Sequence, residues 1–353
     1  MREGKDKTDL VTVAGTRPEI IKLAQIIPLL NKQFRHKFVY TGQHFSSNMR
    51  EIFFENLDIQ PDYDFKCNTS DIDFIKNAMV PTLTKINPQY INVYGDTNSS
   101  MAAALVAEKI GSKIIHIEAG VRDFDYAVPE EGLRIKIDQM SSYLFAPSEF
   151  CRTVLSYEDI HGEVYMTGNL IVDVCKRLSK IAHKVDLEID VPSEYLLLTL
   201  HRQENADNPV NLRLFCKHFE NVEYKIVFPV HPRTRQNLLK NDIQLPANVL
   251  PIEPLGYMDF LQLLKNCRLV LTDSGGIQEE AVVLKKPCIT LRHTSARWET
   301  ILLNANILYP PDRQDSLQEI VEKMISAKID KNPYGEDVAN KIVDILKDVV
   351  SNS

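Results

Sequence analysis

Residues 268–284 read RLVLTDSGGIQEEAVVL. The apolar run RLVLTD stops at Ser274-Gly275-Gly276, and IQEEAVVL continues in a helical pattern. A short buried strand, a glycine turn and a helix make one βα unit. Glycines at such a turn let an anionic group approach the N–H groups of the helix start. Two carboxylates, Glu279 and Glu280, follow within the first turns of the helix. They read either as partners of the helix dipole or as acceptors for something other than phosphate.

The same unit recurs along the chain. In the first half the expected strands are LVTVAG (10–15), HKFVYTG (36–42), YINVYGD (90–96), KIIHIEAG (113–120), YLFAPS (143–148) and EVYMTGN (163–169). Helical segments such as PEIIKLAQIIPLLNK and SSMAAALVAEKIG lie between them. After a polar linker at 182–194, marked by Pro192, the pattern restarts with EYLLLTLHR (194–202), YKIVFPVHP (224–232), NVLPIEP (248–254), RLVLTDSGG (268–276) and KPCITLRH (286–293). Strand–helix alternation of this kind builds parallel, doubly wound sheets. The expected fold is therefore α/β, with two Rossmann-like doubly wound domains facing across a cleft. The expected division is 1–170, 171–330 and a C-terminal amphipathic helix within 331–353, open to packing on either domain. A length of 353 residues suits two cores better than one.

Composition narrows the class. Hydrophobic residues make up 44% and charged residues 25%, with a net charge of −7. These values suit a soluble globular chain and weigh against nucleic acid or an anionic membrane as partner. No apolar run is long enough to span a bilayer. The N-terminus, MREGKDKTDL, is charged and enters a strand directly, which predicts no signal peptide and a cytoplasmic location. The six cysteines are scattered with no CxxC pair, which predicts free thiols and neither disulfides nor a structural zinc.

Ligands of open α/β sheets sit at the carboxyl ends of the strands, so function is read there. In the first domain, GTRPEIIK places Arg17 at a helix start after Gly15, with Pro18 in the first turn and Lys22 one to two turns on. TGQH presents Gln43 and His44. YGDTNSS ends in Asp96, which taken alone reads as an N-cap. HIEAGVR presents His116, Glu118 and Arg122, and a glutamate ending a buried strand needs a partner or a task. PEEGLR puts Glu130 and Glu131 in the first turn of a helix opened by Pro129, where dipole complementation is the plain reading. Convergence of Asp96, Glu118 and Glu131 on one rim suits proton transfer, and leaves a divalent metal open.

The second domain has different chemistry. His201 and Arg202 end one strand, His231 and Arg233 the next, and EPLGYMDF adds Tyr257 and Phe260 as ring partners for a base. With the TDSGG helix start, this set suits a nucleoside diphosphate: donors for phosphate, a carboxylate for ribose, a ring for the base. No GxGxxG opens the first βα unit, no GxxxxGK[ST] occurs, and no GxSxG elbow is present.

The ordered set GTRPEIIK, TGQH, GDTNS, HIEAGVR, PEEGLR, LTLHRQEN, PVHPRT, EPLGYMDF and LTDSGGIQEEA resembles the non-hydrolysing UDP-N-acetylglucosamine 2-epimerases, from about residue 10 to about residue 310. The resemblance implies a glycosyltransferase-B-like fold, a homodimer, a UDP-sugar substrate, and no nicotinamide or obligatory metal. It implies Asp96, Glu118 and Glu131 as catalytic carboxylates and His201 as the catalytic histidine, with the carboxylate for each face of C2 left open. It implies diphosphate contacts from Arg17, Ser274, Gly275 and Gly276, uracil beside Phe260, and ribose on Glu280. Lys22, Arg122, Arg134, Arg202 and His231 are implied as supporting groups. Gln43 and His44, with His231, match residues beside a regulatory UDP-N-acetylglucosamine site of some bacterial members.

Three departures bear on this. Leu133 stands where the family usually has Asn, TSARWE (294–299) replaces TTERPE, and FKCNTSDIDFIK is short where many members carry a longer glycine-containing loop. The first two touch the expected inner cleft and so the sugar, and the third, with Ser46, touches the regulatory site. Alternatives are 2-epimerisation of a 2,3-diacetamido uronic acid nucleotide, a hydrolysing epimerase that releases UDP, a retaining glycosyltransferase, and a nucleotide-sugar-binding regulator without turnover. The carboxylate trio argues against the glycosyltransferase, which needs none.

Overall fold

The structure is a computed structural model that describes residues 8–43, 54, 57–182 and 191–351. The linker expected at 182–194 lies largely outside these residues. The chain forms two compact units, Met1–Val174 together with Tyr334–Ser353, and Cys175–Pro333.

In the first unit the strands are β1 (Leu10–Ala14), β2 (His36–Tyr40), β3 (Tyr63–Asp64), β4 (Tyr90–Tyr94), β5 (Lys113–Ile117), β6 (Tyr143–Ala146) and β7 (Glu163–Met166). They make one parallel sheet in the order β3-β2-β1-β4-β5-β6-β7. The second unit has β8 (Leu196–Thr199), β9 (Ile226–Pro229), β10 (Val249–Ile252), β11 (Leu269–Thr272), β12 (Cys288–Thr290) and β13 (Asn306–Leu308). Their order is β10-β9-β8-β11-β12-β13, again parallel. Both orders reverse direction once, between β1 and β4 in one sheet and between β8 and β11 in the other. These reversals are the topological switch points where open α/β sheets take ligands.

Every expected strand segment contains an observed strand. The reason is burial: β1, β4, β8 and β11 are buried along their whole length, because helices cover both faces of a parallel sheet. Two strands had no sequence expectation, β3 and β13, which are two and three residues long. Runs that short carry no readable period. In the helix Asn98–Ile110, buried Ala102, Ala103, Ala104 and Ala107 offer a small face that lets the helix approach the sheet closely.

The C-terminal helix Val338–Ser351 belongs to the first unit and packs on the helix Ile27–Gln33. Its start is fixed by the Ala339 N–H donating to Asp173 Oδ2 at 2.7 Å. Just before it, the Asn169 N–H donates to the Tyr334 carbonyl at 3.0 Å.

Gly15 is required by close approach, not by a left-handed backbone. A Cβ there would lie 1.9 Å from Ser99 Oγ and 2.5 Å from Thr41 Oγ1. Gly15→Ala is expected to cost about 1–3 kcal/mol of stability by overpacking, read from denaturant unfolding. Unchanged stability would mean that the β1 turn has room the structure does not show.

Candidate active site

The first switch point is built around a carboxylate absent from the expected site. β1 leads through Gly15-Thr16 into the helix Arg17–Leu23. Glu19 Oε2 accepts the N–H groups of Gly15 (2.9 Å) and Thr16 (2.7 Å) and the Thr16 hydroxyl (2.8 Å). Its Oε1 accepts the hydroxyls of Thr97 (2.8 Å) and Ser100 (3.2 Å). Burial pushes the Glu19 carboxyl upward, opposed by the donors on Gly15, Thr16 and Thr97. The N–H groups of Gly15 and Thr16, just before this helix, are thus taken by the chain's own carboxylate. Arg17 is exposed at the first helical position. The signal was present as the T-x-x-E spacing of a capping box.

Asp96 follows Gly95 at the end of β4. It is not the helix cap, which is Thr97, whose side chain accepts the Ser100 N–H at 3.1 Å. Asp96 instead takes Arg134 on one oxygen, from Nε at 2.7 Å and Nη2 at 2.5 Å. Arg134 lies in the helix Pro129–Met140 and also reaches Asp123 at 3.0 Å and Glu131 at 3.1 Å. One guanidinium therefore joins three carboxylates. Glu131 is 1% exposed and has further donors in the N–H groups of Asp123 (2.8 Å) and Phe124 (3.0 Å).

Glu118 stands apart with a different partner. Its Oε2 accepts Lys22 Nζ at 2.8 Å and the Tyr94 hydroxyl at 2.5 Å, and Lys22 and Glu118 are both buried. Its backbone is left-handed, φ +74°. That conformation is costly for a residue with a Cβ, of order 1–3 kcal/mol, and such strain concentrates at functional sites. Among the described residues, no group of three or more His, Cys, Asp and Glu side chains is placed to hold a metal ion.

Two other expected residues point inward. Arg122 is 1% exposed and donates to Glu158 (2.8 and 2.5 Å), Asp138 (2.7 Å) and its neighbour's carbonyl (2.7 Å). Gln43 Oε1 accepts the Ser99 N–H at 3.1 Å and hydroxyl at 2.9 Å. His44 and Ser46 lie outside the described residues.

At the second switch point the organising residue is Asp273, also absent from the expected site. It is completely buried just past β11 and accepts the N–H groups of His201 (2.9 Å) and Arg202 (2.8 Å) and the Asn205 amide (3.3 Å). His201 Nδ1 lies 3.2 Å from Asp273 Oδ1, leaving Nε2 as the ring's other nitrogen for a ligand. Burial acts to raise the Asp273 carboxyl, but His201 and the two backbone donors outweigh it and hold it below the usual carboxylate range. The His231 ring lies 5.7 Å from that of His201. Partial burial first, and then His201 and Arg233, push the His231 ring below its ordinary value.

Ser274 is the N-cap of the helix Gly275–Val283. A Cβ on Gly275 or Gly276 would meet nothing within 4 Å, in contrast to Gly15. These glycines leave open space beside the first helical N–H groups, which have no partner within the helix. The two glutamates then separate. Glu280 Oε1 accepts the Tyr257 hydroxyl at 2.9 Å, and burial followed by Glu280 itself pushes Tyr257 well above its ordinary value. Glu279 is buried against Arg297, Nε to Oε1 2.5 Å, so its task is to neutralise a buried guanidinium. Phe260 lies partly buried on the helix Tyr257–Asn266, against the core that holds Tyr195 and Leu263. Arg202 caps the short helix Gln203–Ala206. Leu133 packs on the core of the first unit, and Ala296 is buried beside Arg297.

Two doubly wound parallel sheets in one chain, each gathering charged residues at its switch point, define a glycosyltransferase-B-like enzyme. The chain belongs to the UDP-N-acetylglucosamine 2-epimerase family, whose sequence profile matches residues 29–347. It is 41% identical, over 96% of this chain and 98% of the other, to the UDP-N-acetylglucosamine 2-epimerase of Methanocaldococcus jannaschii. The crystal structure of the M. jannaschii enzyme in complex with UDP-GlcNAc and UDP superposes with a TM-score of 0.85 at 40% identity, covering 96% of this chain and 99% of that one. The chain is also 36% identical, over 85% of its length and 87% of the other, to the UDP-2,3-diacetamido-2,3-dideoxy-D-glucuronate 2-epimerase of Pseudomonas aeruginosa. No helix among the described residues is long and apolar enough to cross a membrane.

Proposed function

We propose that this enzyme interconverts UDP-N-acetylglucosamine and UDP-N-acetylmannosamine by losing UDP and adding it back. The observation that carries this reading is the division of chemistry between the switch points. One has carboxylates held on Lys22 and Arg134; the other has an open helix start, capped by Ser274 and begun by two glycines, beside a His–Asp pair.

The C2 hydrogen of the sugar is not next to a carbonyl, so its direct removal leaves an unstabilised carbanion. Removing it while the C1–O bond to UDP breaks avoids that. A carboxylate takes the C2 proton, the C–H electron pair forms the C1–C2 double bond, and the C1–O pair leaves with UDP. The products are 2-acetamidoglucal and UDP. Readdition of UDP at C1 with proton delivery to the opposite face of C2 inverts the centre. Two proton-transfer groups and a firm hold on the diphosphate are required.

Glu118 and Asp96 are the proposed proton-transfer groups, because each follows a strand at the switch point and is held there by a cation, Glu118 by Lys22 and Asp96 by the Arg134 that it shares with Asp123 and Glu131. Glu131, with its oxygens on two backbone N–H groups and Arg134, serves by holding Arg134 and residues 123–124 in place. His201 donates to the leaving diphosphate, which Ser274, Gly275, Gly276 and Arg17 contact, with Arg202 and His231 in support. Phe260 lies against uracil and Glu280 accepts from ribose. Phe260→Ala is expected to weaken UDP binding by about tenfold, the scale of one aromatic–base contact, without unfolding the protein. Calorimetry reads this directly, and unchanged affinity would remove uracil from Phe260. A homodimer and a cytoplasmic location belong to the same proposal, the first checked by sedimentation and the second by cell fractionation.

The test is product identity. Incubation with UDP-N-acetylglucosamine, followed by proton and phosphorus NMR, should show a mannosamine anomeric signal with UDP still attached. Free N-acetylmannosamine with UDP would mean hydrolysis. The P. aeruginosa relative, with buried Ala296 and partly buried Leu133 at departures from the family pattern, favours a second reading, a 2,3-diacetamido uronic acid substrate. Turnover of that sugar nucleotide alone would establish it, and turnover of neither would refute both.

A further inference from the structure

We propose that the buried His116–Asp138 pair is a positioning device that fixes the two backbone turns carrying Asp96 and Glu118; this rests on the epimerase reading above. His116 lies in β5 and is 1% exposed. Its Nε2 meets the carbonyl oxygen of Gly95 at 2.9 Å, and its Nδ1 meets Asp138 Oδ1 at 2.6 Å. The other Asp138 oxygen accepts the Gly120 N–H at 3.1 Å and Arg122 Nη2 at 2.7 Å. Gly95 immediately precedes Asp96, and Gly120 follows Glu118 by two residues. One imidazole–carboxylate pair thus ties the turn after β4 to the turn after β5.

The strand ladder between β4 and β5 ends as these turns begin. The last ladder-like bond between them is the Gly95 N–H to the Ile117 carbonyl at 2.9 Å. Beyond it, the N–H groups of Glu118 and Ala119 share the Phe145 carbonyl, both at 3.1 Å. The backbone is left-handed at Gly95 (φ +60°), Glu118 (φ +74°) and Gly120 (φ +79°). Of these, Glu118 alone has a Cβ, and such a residue keeps a left-handed backbone only where surrounding contacts over-determine it. His116 faces an acceptor from each ring nitrogen, so the ring cannot turn without breaking a bond.

The helix Pro129–Met140 then acts on Asp96 twice. Arg134 holds its carboxylate, while Asp138, one turn further along, holds its backbone through His116. Arg122 and Glu158 complete the cluster, Arg122 Nε donating to Glu158 at 2.8 Å. Burial alone would raise the Asp138 carboxyl, but His116 and Arg122 together bring it below the usual range. A buried ionic cluster is a poor source of stability compared with apolar residues of the same volume. Its value here is geometric: it sets where two carboxylates stand relative to one carbon atom.

The ring nitrogens can be tested one at a time. Asparagine places its amide nitrogen where Nδ1 was, and glutamine places its own where Nε2 was. His116→Gln therefore keeps the Gly95 contact, and His116→Asn keeps only the Asp138 contact. The measurements are kcat and KM for UDP-N-acetylglucosamine, UDP affinity by calorimetry, and Tm. His116→Asn should lose about 100-fold in kcat, the scale of an ångström-sized misplacement. His116→Gln should stay within about tenfold of the parent enzyme, and KM and UDP affinity should stay within about threefold in both. Asp138→Asn keeps the side-chain shape if the histidine variants do not fold, and should lose about tenfold in kcat at unchanged UDP affinity. Equal kcat in the two histidine variants, rates that follow Tm instead of the retained nitrogen, or parental kcat in Asp138→Asn would overturn the proposal. Failure of the unmutated enzyme to exchange the C2 proton of any UDP-2-acetamido sugar would instead refute the epimerase reading, before any variant is compared.

Discussion

Glu118→Gln is expected to slow exchange of the C2 proton by about 10²–10⁴-fold while UDP still binds with parental affinity. Glutamine keeps the shape of the side chain but cannot take a proton. The UDP contacts proposed above lie largely in the second unit, at Phe260, Ser274, Gly275, Gly276 and Glu280, so binding and exchange should separate. The same change strips buried Lys22 of its carboxylate partner at 2.8 Å. Removing one member of a buried ion pair costs on the order of 3–5 kcal/mol, so a lower Tm should accompany the lost exchange. Exchange at the parental rate would take Glu118 out of the mechanism.

The second large effect is expected at Asp273. This carboxylate accepts two backbone N–H groups, the Asn205 amide and the His201 ring. Asp273→Asn turns part of an acceptor into a donor facing donors. At about 1–3 kcal/mol per buried group left unsatisfied, the loss of stability should reach several kcal/mol. Turnover should fall about 100-fold or more, because His201 loses the partner that orients its ring.

The pH dependence has a definite sign. Asp273 is depressed in the folded protein from its ordinary value of 3.8. Its contribution is therefore fully present above pH 3.8 and is lost as pH falls through the lower folded value. The stability gap between the parent and Asp273→Asn should be constant near neutrality and close only below pH 3.8. A gap that closes between pH 7 and 5 would show that another group carries the effect.

The sheets were legible because buried parallel strands read as apolar runs that stop at reactive residues. RLVLTDSGG and KIIHIEAG are the plainest cases, and each does contain a strand. What the sequence could not show was who neutralises whom. Lys22 meets Glu118 across 96 positions and Arg134 meets Asp96 across 38, and no local pattern reports such pairs. Asp96 reads locally as a cap, yet the cap is Thr97, because the aspartate is drawn to Arg134.

Glu19 and Asp273 are a different kind of omission. Both lie inside quoted motifs, Asp273 directly after the buried strand β11 and Glu19 in the first turn of the helix after β1. The argument that singled out Glu118, that such a group needs a partner, applied equally to Asp273, whereas the signal for Glu19 was its capping-box spacing from Thr16. The helix Pro129–Met140 shows the limit of the dipole reading. Glu131, Arg134 and Asp138 are spaced three and four residues apart on one face, and each is engaged with a loop beyond its own helix.

The central claim is that the C2 proton leaves and returns while UDP departs and is re-added. Incubating the enzyme with UDP-N-acetylglucosamine in D2O and recording the proton NMR spectrum tests it most directly. The account predicts that deuterium replaces the C2 proton in the UDP-N-acetylmannosamine formed, and on return in the UDP-N-acetylglucosamine pool as well. A UDP-N-acetylmannosamine product that keeps its original C2 proton would contradict it.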